Sequence, residues 1–431
     1  MQRSYFSPTP GTSAPATPLP VTDVSATATD RYDQSMDSHS PKMTRVDHPP
    51  RGLVRTIFDD EHDEFRASVR GFLEREAVPR AREWEAAGII DRSFWRLAAI
   101  QGLVAFAAPE RFGGLGLTDF RYNAIIDEEV AYTGTLSDNF MVTNDIVLPY
   151  LRDLATEEQQ ARWLPDIVSG ARVCAIAMSE PGAGSDLRAI ASTARWRGDH
   201  YVLSGSKTFV TSGIQAEIVI AAARVLRDGV EGMGLFVLEA GMPGFTKGRK
   251  LEKLGRLAQD TAELFMDDVA VPVDQVLGEP GRGLHYLMGN LAQERLSIAI
   301  TAVASAERAL QITLPYVRER QAFGQPIGSF QANKFALAEL ATEVSIARVF
   351  IDRCIAAHCT GDLQDVEAAG AKYWTTELEF RVLDRCLQLH GGYGYMEEYE
   401  IARRWRDARV QRIYGGTNEI MKELVGRSLG L

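Results

Sequence analysis

Glu294 and Arg295 stand side by side in the stretch LAQERLSIA, residues 291–299, inside a pattern that otherwise reads as a buried helix. Apolar residues at Leu287, Leu291, Ile298, Val303 and Ala306 recur at helical spacing between Leu284 and Leu310. Charges are disfavoured on such a face unless they are paired or used. Adjacent helical residues point roughly 100° apart, so these two cannot simply neutralise each other. Two readings follow: a solvated charge at the edge of the face, or a carboxylate held in a dry pocket to move a proton.

A second stretch of chemical interest is AIAMSEPGAGSD, residues 175–186. It leaves a β-type run, turns at Pro181-Gly182, and offers Ser179, Ser185 and several free backbone N–H groups. One reading is a tight loop between strands; the other is a loop whose backbone approaches a flat polar ligand, which glycine permits. It is no dinucleotide fingerprint, because Leu187 stands where the third glycine of GxGxxG belongs. SGSKT, residues 204–208, has a lysine and a hydroxyl without phosphate-loop spacing. Cys354, His358 and Cys359 lack the second half of a metal site, so no metal is expected.

The elements that must position these residues fall into three regions. Residues 1–50 are rich in Pro, Ser, Thr and Ala and read as a disordered tail, with Met36 and Met43 as alternative starts. From 55 to 170 the pattern is helical: Phe65, Val69, Phe72 and Leu73 keep helix spacing, and Thr156-x-x-Gln159 predicts a capping box. From 171 to 278 short β-type runs such as TFVTSG, EIVIAAA, GLFVLEA and AELFMDDVAV alternate with turn residues. From 279 to 431 long helical patterns return, over 282–314, 330–360, 363–389, 397–411 and 417–429.

Composition bounds the function classes. The chain has 431 residues, 45% hydrophobic and 24% charged, and a net charge of −11, which leaves no basic face for nucleic acid. The longest apolar runs fall far short of the ~20 residues that span a bilayer, so no stable membrane insertion is expected. Four cysteines in so long a chain suit a reducing compartment: the cytoplasm, or the mitochondrial matrix if the source is eukaryotic, although Asp23, Asp30, Asp33 and Asp37 make a poor transit peptide.

Five motifs in one order carry a resemblance: AMSEPGAGSD (177–186), KTFVTSG (207–213), RQAFGQPIGSFQ (320–331), QLHGGYGY (388–395) and YGGTNEIMKEL (414–424). The chain resembles the acyl-CoA dehydrogenase family, nearest to its long-chain branch in KLGRLAQDTAELF (253–265) and AQERL (292–296). The resemblance implies an N-terminal helical domain, a middle β-barrel, a C-terminal four-helix bundle, a homotetramer and one FAD per subunit. It implies α,β-dehydrogenation of a fatty acyl-CoA to the trans-2-enoyl-CoA, with electrons passed to an electron-transferring flavoprotein.

Carried over motif by motif, Ile176, Ala177, Met178, Ser179, Gly184 and Ser185 line the flavin, with Phe209, Val210 and Thr211. Phe209 takes a place often held by tryptophan. Arg320, Gln331, Gln388, Leu389, His390, Gly391 and Gly392 hold the pyrophosphate and adenine of a neighbouring subunit's FAD, while Thr417, Asn418 and Glu419 meet FAD from their own side. Ser185, His285, Arg295, Gly415 and Gly416 fall where the family contacts acyl-CoA, His285 replacing a usual aromatic. Many relatives keep the catalytic glutamate just after the tyrosine of the last loop. Here that loop is Tyr414-Gly415-Gly416-Thr417, with no carboxylate at 415. The long-chain and isovaleryl branch takes its base from the first helix of the bundle, where Glu294 matches, and Gly415 contributes a backbone N–H to the thioester oxygen. An acyl-CoA oxidase or a flavin monooxygenase on the same fold is the competing reading, and a catalytically silent scaffold a third.

Overall fold

The computed structural model describes residues 53–136 and 139–431, so the expected tail lies outside the described residues. The first third is helical: α1 (Asp60–Glu76), α2 (Ala81–Ala87), α3 (Arg92–Ile100), α4 (Phe120–Thr133), α5 (Asn139–Met141), a π-helical turn (Val142–Val147), α6 (Leu148–Leu154) and α7 (Glu157–Val168). Its boundaries follow cap chemistry. Asp91 accepts from the backbone of Ser93 and Phe94 to start α3, and Thr156 with Gln159 forms the expected capping box of α7. Val69, Phe72 and Leu73 of α1 pack with Phe94 and Trp163.

Eight strands make the middle sheet: β1 (Cys174–Ala177), β2 (Thr193–Trp196), β3 (His200–Thr211), β4 (Ile218–Leu226), β5 (Met233–Glu239), β6 (Phe245–Lys250), β7 (Thr261–Pro272) and β8 (Val276–Leu277). The order is β6-β7-β3-β2-β4-β5-β8, and β1 lies parallel to β4. The expected barrel is not closed: the outer strands β6 and β8 do not pair with each other, and β8 is only two residues long. Ile218, Ile220 and Ala222 of β4 face the helical core, while Val219, Ala221 and Ala223 face the sheet's own core. Burial on both faces explains why this strand reads as an unbroken apolar run.

The last third holds α8 (Gly283–Glu319), a short hairpin of β9 (Gln321–Ala322) and β10 (Gln325–Pro326), α9 (Gln331–Cys359), α10 (Asp365–His390), α11 (Glu400–Ala408) and α12 (Asn418–Ser428). Leu296, Ile300 and Val303 of α8 pack against Val344 and Ile351 of α9 and Leu378 and Val382 of α10. No helix of the described residues is long and apolar enough to cross a membrane.

Candidate active site

Glu294 lies on α8, 3% exposed, where the helix meets α6 and the π-helical turn. Tyr150 donates its hydroxyl to Glu294 Oε1 at 3.1 Å, and Asn290 Nδ2 reaches the same oxygen at 3.3 Å. Among the described residues no donor reaches Oε2. Burial pushes the carboxyl up to about 7, against the opposing pull of Tyr150, Asn290 and Arg295. Burial and the neighbouring carboxylate push the Tyr150 phenol up as well, which keeps it a donor.

The wide winding of the π-helical turn leaves carbonyls for α8 to collect. Gln293 Nε2 donates to Asp145 O at 2.6 Å and Asn290 Nδ2 to Ile146 O at 3.4 Å. These two side chains, one and four residues before Glu294, fasten that turn of α8 to the π-helical turn that leads into α6 and Tyr150. Beneath lies a buried acid, Asp145, which accepts from Asn123 at 2.5 Å; burial raises it to about 6 against bonds to Asn123, Asp127 and Ser297. His358, set aside above as a metal ligand, meets Gln293 Oε1 at 3.1 Å.

The final loop closes on this helix face. Gly415 and Gly416 have φ of +62° and +88°, in the left-handed region that favours glycine. A Cβ at Gly415 would stand 2.3 Å from Ile298 Cδ1, so the loop presses on the residue one turn beyond Glu294. Lys372, fully buried on α10, donates to Gly416 O at 2.7 Å and to Asn418 Oδ1 at 3.0 Å. Burial first, then Arg295, lowers its pKa to about 7. Asn418 is buried and also donates to Thr376 and Glu377, whereas Thr417 caps α12 and Glu419 is exposed in its first turn. Arg295 is 4% exposed, yet its Nε and Nη1 meet no acceptor among the described residues.

The two strand segments meet each other. Thr208 N donates to Ser179 O at 2.9 Å, and Lys207 Nζ reaches Met178 O at 3.2 Å and Glu180 at 2.7 Å. Between Lys207 and Val210 the β3–β7 register slips, and this bulge throws Phe209 out of the sheet, 71% exposed at φ +58° between buried Thr208 and Val210. Strained exposed aromatics of this kind cluster at ligand sites. Ala177 is buried, Ile176, Met178, Ser179 and Thr211 half-buried, and Gly184 and Ser185 exposed.

Arg320, at the end of α8, sits with its guanidinium 5.7 Å from the Tyr393 ring and has no carboxylate partner among the described residues. Tyr316 stacks on His390 at 4.2 Å and donates to its carbonyl at 3.2 Å, which joins Arg320's helix to the end of α10. Leu389 and His390 turn inward; Gln331, Gln388, Gly391 and Gly392 are exposed. His285 is exposed in the first turn of α8, about 13 Å of helix rise from Glu294.

These residues fit a flat, polyanionic dinucleotide. A Cβ at Gly182, Gly184, Gly391 or Gly392 would meet nothing within 4 Å, so packing within the chain does not demand glycine there. An unshielded aromatic and Arg320, without a carboxylate partner among the described residues, complete a donor set suited to ring and phosphates.

Sequence models of the acyl-CoA dehydrogenase N-terminal, middle and C-terminal domains match residues 59–171, 175–269 and 281–430. The chain belongs to the acyl-CoA dehydrogenase family. It is 46% identical over 400 residues to the mitochondrial long-chain specific acyl-CoA dehydrogenase of Sus scrofa, covering 91% of this chain and 93% of that one. The crystal structure of an acyl-CoA dehydrogenase from Geobacillus kaustophilus is 48% identical with a TM-score of 0.85, over 88% of this chain and all of that one (100%). An acyl-CoA dehydrogenase complexed with FAD, from Bacillus anthracis, is 29% identical with a TM-score of 0.79, over 86% of this chain and 67% of that one. This acyl-CoA dehydrogenase is thus an FAD-dependent oxidoreductase acting on acyl-CoA thioesters.

Tyr150 and Lys372 were not singled out by sequence. For Lys372 a signal existed, since it is a charge on an apolar helix face, as Glu294 is. Asn290, four residues before Glu294, had the spacing of a helix neighbour. Nothing in the sequence pointed to Tyr150.

Proposed function

We propose that Glu294 is the general base of this acyl-CoA dehydrogenase and removes the α-proton of a fatty acyl-CoA. The observation that carries the reading is a buried carboxyl raised to about 7, one helical turn from the pressed loop at Gly415. An α-hydrogen of a thioester is a very weak acid, so a base with a pKa near working pH is needed while the developing enolate is stabilised. Tyr150 and Asn290 occupy Oε1, which leaves Oε2 to take the proton. The Gly415 N–H serves the thioester oxygen, and Lys372, through Gly416 O, holds that loop in place. FAD, when bound, would supply the redox capacity that takes up the hydride leaving the β-carbon.

Ile176 to Ser179, Gly184, Ser185 and Phe209 to Thr211 would hold the flavin. Arg320, Gln331 and Gln388 to Gly392 would hold the phosphates and adenine across a subunit boundary, and Thr417 to Glu419 would close the site. That division requires at least two subunits, and the family resemblance makes the proposed assembly a homotetramer. The accompanying architecture is a helical domain over 55–170, a barrel-type sheet over 171–278 and a four-helix bundle over 279–431. Arg295, Ser185 and Gly416 are assigned to acyl-CoA; exposed His285 is assigned to its outer portion. A long acyl chain and electron transfer to an electron-transferring flavoprotein are proposed from the relatives above. A reducing location, cytoplasm or matrix, suits four free cysteines.

Acyl-CoA should bleach the bound flavin under nitrogen, with slow reoxidation in air and fast reoxidation by an electron-transferring flavoprotein. Turnover in air as fast as with the flavoprotein would make the enzyme an oxidase instead.

A further inference from the structure

Two of the motifs above each hold a buried charge that none of the assigned roles uses: Glu180 in AMSEPGAGSD and Lys207 in KTFVTSG. Lys207 is 1% exposed and Glu180 7%. The two side chains pair, Lys207 Nζ donating to Glu180 Oε1 at 2.7 Å. The carboxylate also accepts from Ala191 N at 2.6 Å and Ser192 N at 3.0 Å, which ties the start of the 180–192 loop to its end. A buried ion pair stabilises a fold little, if at all, more than apolar residues of the same volume. The fold alone therefore does not call for one here.

The second bond of Lys207 points to another role. Nζ also donates to Met178 O at 3.2 Å. In a trans peptide the C=O and N–H point in opposite directions, so the Ser179 N–H points away from the ammonium. That N–H donates to no acceptor among the described residues, whereas the next carbonyl, Ser179 O, accepts from Thr208 N at 2.9 Å. The Met178–Ser179 peptide thus carries a cation on its oxygen and a free donor at its other end. A charge on the oxygen polarises the peptide and strengthens that donor.

We propose that Lys207 acts through this peptide to strengthen a hydrogen bond from the Ser179 N–H to bound flavin, and so raises the flavin's reduction potential. The proposal rests on the reading that Ile176 to Ser179 line the ring. A hydride brings two electrons and one proton, so its uptake leaves the ring with one more negative charge. A donor aimed at the ring favours that charged form over the neutral oxidised one. Glu180 keeps the buried ammonium charged, while its own charge is spread over the N–H groups of Ala191 and Ser192. Lys207 is therefore a positioning residue, acting through Met178 O.

The test measures the midpoint potential of the FAD-loaded enzyme, by equilibration with a redox dye under nitrogen and without acyl-CoA. Lys207→Met is combined with Glu180→Gln, so that no buried charge is left alone. Flavin content and the melting temperature show that the variant is folded and loaded. Its preference for reduced over oxidised flavin should fall about tenfold, the order of one charge-assisted hydrogen bond, which is about 30 mV for a two-electron couple. Glu180→Gln alone leaves the ammonium on Met178 O, so its potential should stay at or above that of wild type. A double variant at the wild-type potential, or Glu180→Gln below it, overturns the proposal. If the double variant does not load FAD, Glu180→Gln decides by the same criterion. Ser179→Leu tests the reading beneath: a larger side chain there should weaken FAD binding or shift the visible spectrum of the flavin. If it does neither, Ser179 does not line the flavin and that reading fails with the proposal. A shifted spectrum with an unmoved potential in the double variant strikes the role of Lys207 alone.

Discussion

A carboxyl with a pKa of about 7 is half ionised at neutral pH, so Glu294, as the proposed base, becomes competent as pH rises through that value. Flavin reduction by acyl-CoA should therefore climb across this window and level off above it. Tyr150 tunes the position of that rise. Its hydrogen bond favours the ionised carboxylate and lowers the pKa that burial has raised. Tyr150→Phe removes the bond and keeps the ring, so the carboxyl should become harder to ionise. The acid limb of the reductive rate should shift upward by roughly one pH unit, the equivalent of one hydrogen bond to a charged group. Rate measurements from pH 5 to 9 on both proteins check this, and an unmoved limb would show that Tyr150 only fills space.

At the scale of elements, the site is a junction of α8, the π-helical turn, α6 and the final loop. Moving the carboxylate from α8 to the loop, as Glu294→Gly with Gly415→Glu, meets a specific obstacle. Position 415 has a left-handed backbone, and its Cβ would stand 2.3 Å from Ile298 Cδ1. The double variant should regain little activity, while adding Ile298→Val, which deletes that methyl, should recover about tenfold or more over it. Equal rates with and without Ile298→Val would contradict the packing account. Much of this junction was legible in sequence. The stretch around Glu294 carried a charge on an apolar helix face, and the five long helical patterns became α8 to α12 with ends shifted by a few residues. The π-helical turn was not legible, because π winding has no spacing signature and is imposed by what packs on it. Short strands β2 and β6 also escaped, having too few residues for a period to show. The barrel expectation exceeded what the strands do, since two-residue β8 offers no partner for β6.

At the scale of the whole molecule, the single chain leaves large apolar groups in water on its C-terminal third. Phe323 is 96% exposed and Tyr395 82%, with Phe335 and Ile346 also on the surface. Exposed apolar side chains of this size are material for an association surface, in keeping with the proposed tetramer. Arg320 and the end of α10 sit in the same third, so binding of FAD and assembly should be coupled. Stripping FAD should lower the melting temperature and dissociate the oligomer. A ligand at a thousand times its Kd stabilises by about 4 kcal/mol, which is lost on removal. Sedimentation and thermal melts before and after stripping measure both effects. A stripped protein that stays tetrameric and melts at the holoenzyme temperature would separate the cofactor from assembly.

The most direct test of the central claim is anaerobic stopped-flow reduction of Glu294→Gln by acyl-CoA. Glutamine keeps the size of the side chain and an oxygen for Tyr150 and Asn290 but cannot take a proton. FAD should remain bound at wild-type stoichiometry, while the rate of flavin reduction falls by about 10² to 10⁴, the contribution of a positioned general base. Reduction at the wild-type rate would contradict the assignment of Glu294 and of the site built around it.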